Sequence, residues 1–351
     1  MSEDGLPLVT IIAPSFNYGR FICQSLDSVL AQTWQNWECV VVDDGSTDDT
    51  RAVVMSYAER DARVRYIHQE HRGVSAARNT GIKHSRGAFL QFLDADDLIE
   101  ERKLEKQIEF LRRRRDVDIV YGGAMSFTSV ESGGRSRIIR GGEELTWLPS
   151  ISGSEHDALL ALLRAPFPIH CGLIRRGVIE DVGLFNERLK VCEDWDFWVR
   201  CAAIGKRFRQ IKIEGSLAFY RVHPASTCAN PRLLRPAIRR WRREIAKLVK
   251  GADALKLNQR LAAEYEGDVG IKDIAHGRML SGAWQCLKAA AMIREPRKSL
   301  KWLYCAFAAP LAPREKLESL ASTPVRKTAV AILRHRLRLT TFKHGDSQRP
   351  G

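Results

Sequence analysis

The amino-acid sequence predicts an α/β protein with a mostly parallel central sheet, followed by a basic helical region. Short β-branched runs alternate with stretches of helical spacing through residues 8–121, which is typical of chains built from βαβ units. Hydrophobic residues make up 44% of the 351 residues, enough for a sizeable core. Because the composition turns basic near residue 231, we expect two parts, residues 1–230 and residues 231–351.

Five strands are expected in the first part, each a short apolar run that ends at a turn or a polar cluster. In chain order they are Leu8–Ala13, Cys39–Val42, Val64–Ile67, Ala88–Leu93 and Asp118–Tyr121. Between them, apolar side chains recur every three or four residues, as on the buried face of a helix. Residues 122–160 contain Gly-, Ser- and charge-rich stretches, so we expect long loops there with room for one hairpin. Residues 160–225 are expected to rejoin the core.

Polar residues follow three of these strands at the point where each strand ends. The clusters are Pro14-Ser15-Phe16-Asn17, Asp43-Asp44 and Asp94-Ala95-Asp96-Asp97. In open α/β sheets, ligands bind beyond the carboxyl ends of the strands. The sequence therefore predicts a binding site at this edge of the sheet.

The cluster Asp94-Ala95-Asp96-Asp97 places three carboxylates directly after an apolar run. Carboxylates this close repel one another unless a cation or hydrogen-bond donors lie between them. Hard divalent cations take oxygen ligands and bridge carboxylates to phosphates. A metal site is the favoured interpretation, and an acidic cap of the following helix is the alternative.

Five segments together resemble the family 2 inverting glycosyltransferases of GT-A fold. The segments are, in order, Ala13–Asn17, Val42–Asp48, Gly73–Gly81, Phe92–Asp97 and Val182–Glu187 leading to Glu193–Asp196. The resemblance covers about residues 8–225. Each segment alone is a weak signal, but five in the family's order are specific.

The resemblance implies a nucleotide-diphosphate sugar as donor, with uridine diphosphate as the default carrier. Pro14 and Asp44 would lie against the base, and Asp94 would approach the ribose. Arg78 would reach the diphosphate, because a guanidinium matches phosphate oxygens. The other substrate-binding residues would be Ser15, Asn17, Gly172 and Glu193, although Gly172 is equally typical of a turn and Glu193 of an acidic helix N-terminus.

The resemblance also implies a metal ion, Mn²⁺ or Mg²⁺, held by Asp96, and a general base at Asp194. The residues favour a base there independently, because crowding by Glu193 and an apolar wall from Trp195 both raise a carboxylate pKa. His223 is a further candidate ligand of the metal, with a purely structural histidine as the alternative. Direct displacement by the acceptor hydroxyl would invert the anomeric centre.

The net charge is distributed unevenly along the chain. Residues 1–230 hold 30 Lys and Arg against 32 Asp and Glu, whereas residues 231–351 hold 26 against 10. Such a basic region favours polyanions, so the alternative function is a polyanion- or nucleic-acid-binding protein. We expect no nucleic acid, because no nucleic-acid motif is recognisable and such binding would not require the carboxylate clusters. A solvated basic face without a partner is also open.

We expect a cytoplasmic protein that associates with the inner face of the plasma membrane. The eight cysteines form no C-x-x-C pair, which fits a reducing compartment, and no apolar stretch reaches about 18 residues. The basic residues Arg294, Arg297, Lys298 and Lys301 precede Trp302–Phe307, as in an interfacial helix on anionic lipid. The alternative is a packed helix pair with Trp302, Leu303 and Phe307 in its core and the basic residues solvated, and the two interpretations can coexist. The acceptor would be a glycan or a lipid-linked glycan.

Overall fold

The computed structural model describes residues 6–132, 135–139, 144–145, 148–151, 154–223, 226, 231–293 and 296–307. The described residues divide into two compact units. The first, the α/β unit, runs to Ala237, and the second, the helical unit, begins at Ile238. Among the described residues, no helix is long and apolar enough to cross a membrane.

A seven-stranded sheet in the order β10-β6-β9-β4-β1-β2-β3 organises the α/β unit. Its strands are β1 (Val9–Ser15), β2 (Trp37–Asp43), β3 (Val64–His68), β4 (Phe89–Phe92), β6 (Ile119–Tyr121), β9 (Gly172–Arg175) and β10 (Phe208–Gln210). Strands β1 to β4 are parallel, and only β9 runs antiparallel to its neighbours β4 and β6. The predicted α/β fold with a mostly parallel sheet is confirmed. Strand β9 falls in residues 160–225, where no strand was predicted individually.

Seven helices of the α/β unit are described, and apolar residues spaced along them pack on the sheet. They are α1 (Gly19–Leu30), α2 (Thr50–Ala58), α3 (Val74–His84), α4 (Lys103–Arg113), α5 (Glu155–Arg164), α6 (Gly177–Val182) and α7 (Glu193–Ala203). Strand β1 is buried along its whole length, because helices cover both faces of a parallel sheet. This buried centre fixes the carboxyl ends of β1, β2 and β4 at one edge.

A second sheet has four strands in the order β5-β11-β7-β8. Its strands are β5 (Leu98–Ile99), β7 (Ala124–Ser132), β8 (Arg135–Ile139) and β11 (Ala218–Arg221). Strands β7 and β8 form a hairpin in the region where the sequence left room for one. Strand β11 runs antiparallel to β5, so the residues after β11 return towards the residues before β5.

The helical C-terminal region contains α8 (Pro231–Leu248), α9 (Ala252–Ala275), α10 (Met279–Met292) and α11 (Pro296–Phe307). Small residues allow α9 to α11 to pack closely. A Cβ on Gly270 would lie 2.6 Å from the Gly282 carbonyl oxygen, and one on Gly267 would lie 2.4 Å from the Trp302 ring. The buried residues around them form a core of their own, which includes Ile271, Ile274, Cys286, Ala289 and Cys305.

Trp302 is buried in this core, so of the two interpretations of this residue, lipid contact and packing, the packing one holds. The indole occupies the space that the missing side chain of Gly267 leaves on α9. Phe307, in contrast, is 69% exposed and is not part of that core. Arg294 lies outside the described residues. The packed-pair alternative therefore holds for Trp302 and Leu303 but not for Phe307.

Replacing Trp302 with alanine should lower the free energy of unfolding of the helical unit by about 3 kcal/mol, because a buried indole is lost and a cavity forms against Gly267. Chemical denaturation followed by far-UV circular dichroism measures this change. The matched control is Trp284→Ala on α10, which removes a side chain that is 65% exposed and should cost no more than about 0.5 kcal/mol. Equal losses in both variants would contradict the packing of Trp302.

Candidate active site

The carboxyl ends of β1, β2 and β4 bring the predicted polar clusters to one edge of the sheet. The amide of Asp44 donates to the Ser15 carbonyl at 2.8 Å, which joins the loops that follow β1 and β2. Asn17 has a φ of 56°, a conformation that asparagine tolerates better than most residues. The side-chain Oδ1 of Asn17 accepts from the Thr47 backbone amide at 2.8 Å, and the backbone amide of Asn17 donates to Ser46 Oγ at 2.9 Å. These bonds fix the floor of the cleft.

Ser15 Oγ is buried at the end of β1 and has no hydrogen-bond partner among the described residues. A buried hydroxyl in this state is uncommon. Pro14 precedes it within β1 and lacks an amide hydrogen. The sequence predicts that both residues contact the nucleotide, and both lie at the carboxyl end of β1.

Asp44 is almost fully buried and anchors the loop between β3 and α3. Its Oδ1 accepts from Gln69 Nε2 at 2.6 Å and from the Arg72 amide at 2.9 Å. Its Oδ2 accepts from the Gly73 amide at 2.7 Å and lies 2.9 Å from His71 Nδ1. Three donors and the His71 ring surround this one carboxylate, so direct contact between a base and the Asp44 carboxylate requires one of them to move. The His71 ring also stacks on Phe16, with centroids 4.0 Å apart.

Arg78 of α3 connects the strand end to helix α7. Its guanidinium donates to Asp94 Oδ1 at 2.6 Å and to Glu193 Oε1 at 2.8 Å, and the side chain is 2% exposed. The Coulomb attraction of the two carboxylates raises the Arg78 pKa above its usual range despite burial. The adjacent Asn79 ties the Phe185 backbone to α3 through two hydrogen bonds. Helix α3 therefore holds the segment that leads into α7.

Asp194 lies in the first turn of α7, which begins after Cys192 in a left-handed conformation (φ 68°). Its Oδ1 accepts from the Trp195 amide at 2.7 Å, and its Oδ2 has no hydrogen bond to the described part of the chain. Burial, followed by repulsion from the Glu193 carboxylate, raises the pKa of Asp194 to about 7. A partly buried carboxylate in that range can accept a proton near neutral pH.

Asp96 and His223 meet because β11 runs antiparallel to β5. His223 Nε2 lies 2.9 Å from Asp96 Oδ2, and Nδ1 of the same ring has no partner among the described residues. Arg221, at the end of β11, donates from its backbone amide to Asp97 Oδ1 at 2.7 Å and from Nε to the Asp96 carbonyl at 2.5 Å. The sequence proposed both Asp96 and His223, and the tertiary structure brings them together.

A second group of possible ligand atoms lies on Asp94, Asp97 and His170. We call it the deeper group, because Asp97 and His170 are almost fully buried. His170 belongs to a short 3₁₀ turn (Ile169–Cys171) before β9, and its Nδ1 lies 3.0 Å from Asp97 Oδ2. Neither ring nitrogen has a well-aligned hydrogen bond with a described residue. Burial lowers the pKa of His170 to about 3, so the ring is neutral. Burial and the charges of Asp96 and Asp94 raise the pKa of Asp97 well above its usual range.

A buried polar network supports this deeper group from below. Lys103 Nζ donates to Gln91 Oε1 at 2.6 Å and to Gln107 Oε1 at 2.8 Å. The amide of Gln91 donates to the His170 carbonyl at 3.0 Å, and that of Gln107 to the Cys171 carbonyl at 2.9 Å. Burial lowers the pKa of Lys103 to about 7. The network fixes the turn that carries His170.

Sequence reasoning missed His170, Arg221 and the Lys103 network. Lys103 opens a helix and reads as an ordinary solvated lysine, and His170 stands alone in an apolar run. Arg221 lies two residues before His223, and this proximity was the only local signal. The remaining contacts join residues far apart in the chain, so spacing could not reveal them.

Gly172 and Gly183 both have structural roles. A Cβ on Gly172 would meet the Trp198 ring at 3.0 Å and the Phe167 ring at 3.3 Å, so aromatic side chains of the core, rather than an open cleft, require its small size. The predicted approach of Gly172 to the donor sugar has no support in this packing. Gly183 ends α6 with a φ of 82°, as a C-terminal cap glycine does.

The family profile described as Glycosyl transferase family 2 matches residues 10–183, a range that contains most of the cleft. An uncharacterized glycosyltransferase of Rickettsia felis is 35% identical over 197 residues, which cover 55% of this chain and 31% of that protein. The uncharacterized glycosyltransferase EpsJ of Bacillus subtilis is 33% identical over 227 residues, or 64% of each chain. The chain belongs to glycosyl transferase family 2.

Solved structures agree on the fold of this family 2 member. TarS 1–349 of S. aureus in complex with UDP aligns with a TM-score of 0.55, 18% identity and coverage of 97% of this chain and 93% of that one. The mannosyltransferase PcManGT of Pyrobaculum calidifontis, in complex with GDP-Man and Mn²⁺, aligns with a TM-score of 0.56, 19% identity and coverage of 95% and 88%. The fold is of GT-A type. The chain spans about a third of the length of the R. felis relative and about two thirds of EpsJ.

Arg78→Lys should lower the free energy of unfolding by about 2 kcal/mol, because one ammonium cannot replace two charge-assisted hydrogen bonds to separate carboxylates. Urea denaturation measures the loss. The matched control is Arg72→Lys, since Arg72 pairs with Glu187 at 2.7 Å in solvent and should contribute less than about 1 kcal/mol. If the two variants lose the same stability, Arg78 is not the bridge that its contacts indicate.

Proposed function

We propose that this protein is an inverting glycosyltransferase that moves a sugar from a nucleotide-diphosphate sugar to an acceptor hydroxyl. The observation that carries the proposal is the convergence of three groups on one cleft. Arg78 holds Asp94 and Glu193 together, Asp194 lies next to Glu193 and has a pKa of about 7, and Asp96 contacts His223. Family membership and the GT-A fold support the same reaction class.

The donor is proposed to bind along the carboxyl ends of β1, β2 and β4. Pro14, Ser15 and Asp44 surround the place for the base, and Asn17 shapes the adjoining loop. Uridine diphosphate is the proposed carrier, supported by the resemblance in sequence and by the UDP and UDP-GlcNAc bound to the TarS neighbour. The GDP-Man bound to PcManGT makes guanosine diphosphate the alternative.

Asp194 is proposed as the general base in a direct displacement. The acceptor oxygen forms a bond to the anomeric carbon as the bond from that carbon to the diphosphate oxygen breaks. Asp194 takes the hydroxyl proton, and the leaving diphosphate keeps the bonding electron pair. Because the acceptor attacks from the face opposite the leaving group, the anomeric configuration inverts.

A divalent metal, Mn²⁺ or Mg²⁺, is proposed as the cofactor, held by Asp96 and His223. Carboxylate oxygens and an imidazole nitrogen suit such ions, and His223 Nε2 and Asp96 Oδ2 already lie within hydrogen-bonding distance. The deeper group is a poorer candidate, because Asp97 and His170 are almost fully buried and both Asp97 oxygens face protein groups. A bound metal would offset charge on the leaving diphosphate.

The acceptor is proposed to be a glycan or a lipid-linked glycan of the cell envelope. Support comes from a relative named as a putative teichuronic acid biosynthesis glycosyltransferase, TuaG of Bacillus subtilis, which is 40% identical over 109 residues. Such acceptors are met at the cytoplasmic face of the plasma membrane, so we place the protein there as a peripheral protein. Residues 231–351 would then hold the enzyme at the membrane rather than bind nucleic acid.

Asp194→Asn should lower kcat by about 10²–10⁴ while UDP affinity stays unchanged, since the amide keeps the shape and loses the basicity. In the wild type, the base form of a group with a pKa of about 7 is lost as the pH falls. Below pH 7, kcat should therefore drop about tenfold per unit. Steady-state kinetics across pH 5–9 with a UDP-sugar measure both effects.

Asp181→Asn is the matched control for this substitution, because Asp181 is exposed and pairs with Lys206 away from the cleft. It should leave kcat and the pH profile unchanged. An unchanged kcat in Asp194→Asn excludes the residue as the base. A product that retains the donor's anomeric configuration by NMR excludes the displacement itself.

Asp96→Ala and His223→Ala should each reduce the Mn²⁺-dependent gain in UDP affinity by about tenfold or more, whereas His170→Gln should preserve it. Calorimetric titration of UDP with and without Mn²⁺ measures the gain, and circular dichroism confirms that each variant is folded. The opposite pattern, a loss in His170→Gln alone, would assign the metal to the deeper group of Asp94, Asp97 and His170.

A further inference from the structure

Large apolar side chains are exposed on two neighbouring helices of the helical unit. Leu280 and Trp284 of α10, and Leu300, Tyr304 and Phe307 of α11, are each between 61% and 89% exposed. Within the described residues, no other helix exposes aromatic side chains to this extent. An exposed cluster of this kind marks an interaction surface.

The exposed residues lie opposite the stripes that pack against α9. On α10 the packed residues include Gly282 and Cys286, which contact Gly270 of α9. Trp284 falls midway between them in sequence, and at about 100° per residue it points the other way. On α11, Tyr304 is related in the same way to the buried residues Trp302 and Ala306.

Both exposed faces therefore point away from α9, and α10 and α11 pack against each other. We call their combined surface the outer face. Its members are Leu280, Trp284, Lys288, Leu300, Lys301, Tyr304 and Phe307.

The charged residues of α10 and α11 themselves are all positive, since neither helix contains an aspartate or a glutamate. The side chains of Lys288 and Lys301 are exposed, and Lys301 Nζ lies 4.6 Å from the centroid of the Trp302 ring, at the border of the outer face. Helix α9, which lies behind it, carries several acidic residues, among them Glu264, Glu266 and Asp273. The basic residues are thus on the same side as the exposed aromatic residues.

From this arrangement, we propose that the outer face docks on an anionic lipid surface. Trp, Tyr, Phe and Leu side chains enter the boundary between headgroups and acyl chains, and lysines contact anionic headgroups. Charge complementarity favours lipid over a second copy of this chain, because two outer faces would bring like charges together. The inference rests on the proposed function in one respect only. A lipid-linked acceptor would explain why the protein binds a membrane.

This assignment differs from the sequence-based one in the residues that face lipid. The sequence grouped Trp302 with its basic neighbours, but Trp302 packs on Gly267. The apolar side chains that would enter the lipid are instead Trp284 of α10 and Leu300, Tyr304 and Phe307 of α11. They lie on the exposed sides of the two helices rather than in one contiguous segment.

The test is flotation of the full-length protein with vesicles of phosphatidylcholine that contain increasing phosphatidylglycerol, without donor or acceptor. Wild-type protein should float with the anionic vesicles, and added salt should reduce the floating fraction. The variant Trp284→Ser/Tyr304→Ser/Phe307→Ser should bind at least about tenfold more weakly. Lys288→Gln/Lys301→Gln should bind more weakly on anionic vesicles only.

The matched control is Ile204→Ser, which removes an exposed apolar side chain from the α/β unit and should float like the wild type. Far-UV circular dichroism should be the same for all variants, because the replaced residues are exposed. UDP affinity should also be unchanged, so a loss of vesicle binding is distinguishable from a failure of the donor site.

Three outcomes would overturn the proposal. The wild type could fail to float at low salt, or the triple serine variant could float as well as the wild type. Light scattering could instead show a dimer that the triple variant dissociates, which would assign the outer face to a second copy of the chain.

Discussion

The guanidinium of Arg78 is enclosed between two carboxylates that lie 99 positions apart in the sequence, Asp94 and Glu193. A buried cation is tolerated only when its charge is matched and its donors are used. This requirement fixes the distance between the end of β4 and the start of α7. Arg78 thereby joins Asp94, at the end of β4, to the segment of α7 that carries Asp194, the candidate base.

The same cleft concentrates negative charge, and the protein compensates for it in several ways. Arg78 contacts Asp94, the Arg221 backbone contacts Asp97, and the neutral His170 ring lies against the other Asp97 oxygen. Lys103 lies beneath with amide partners and lowers the pKa of His170 further. Among the described residues, the Asp96 carboxylate contacts the His223 side chain, and the Asp96 side chain is more exposed than that of Asp97. Charge balance therefore favours the Asp96 and His223 pair for an added cation.

The helical unit divides its apolar residues between two purposes. Small residues on α9 and α10 let the backbones approach, and Trp302 fills the remaining space. The residues on the opposite stripes of α10 and α11 contribute nothing to this core and are exposed. Since a helix repeats every 3.6 residues, alternate members of one aromatic-rich segment are directed to opposite sides. Trp302 and Tyr304 illustrate this separation.

The sequence by itself determined the α/β architecture, the edge of the sheet that carries the site, and the cluster at Asp94–Asp97. These features depend on local periodicity and on the rule that ligands bind beyond strand ends, so a linear pattern is sufficient. The motifs also identified Arg78, Asp194 and His223 as candidates, but they could not say which side chains touch.

Only the tertiary structure decided those contacts. The antiparallel pairing of β5 with β11 carries His223 back to Asp96, and β9, inserted antiparallel between β4 and β6, brings His170 beside Asp97. The tertiary structure also packs Gly172 against the aromatic core and buries Lys103 and Trp302. Such outcomes depend on which distant segments become neighbours, and burial is a property of the packed chain rather than of any residue's position in the sequence.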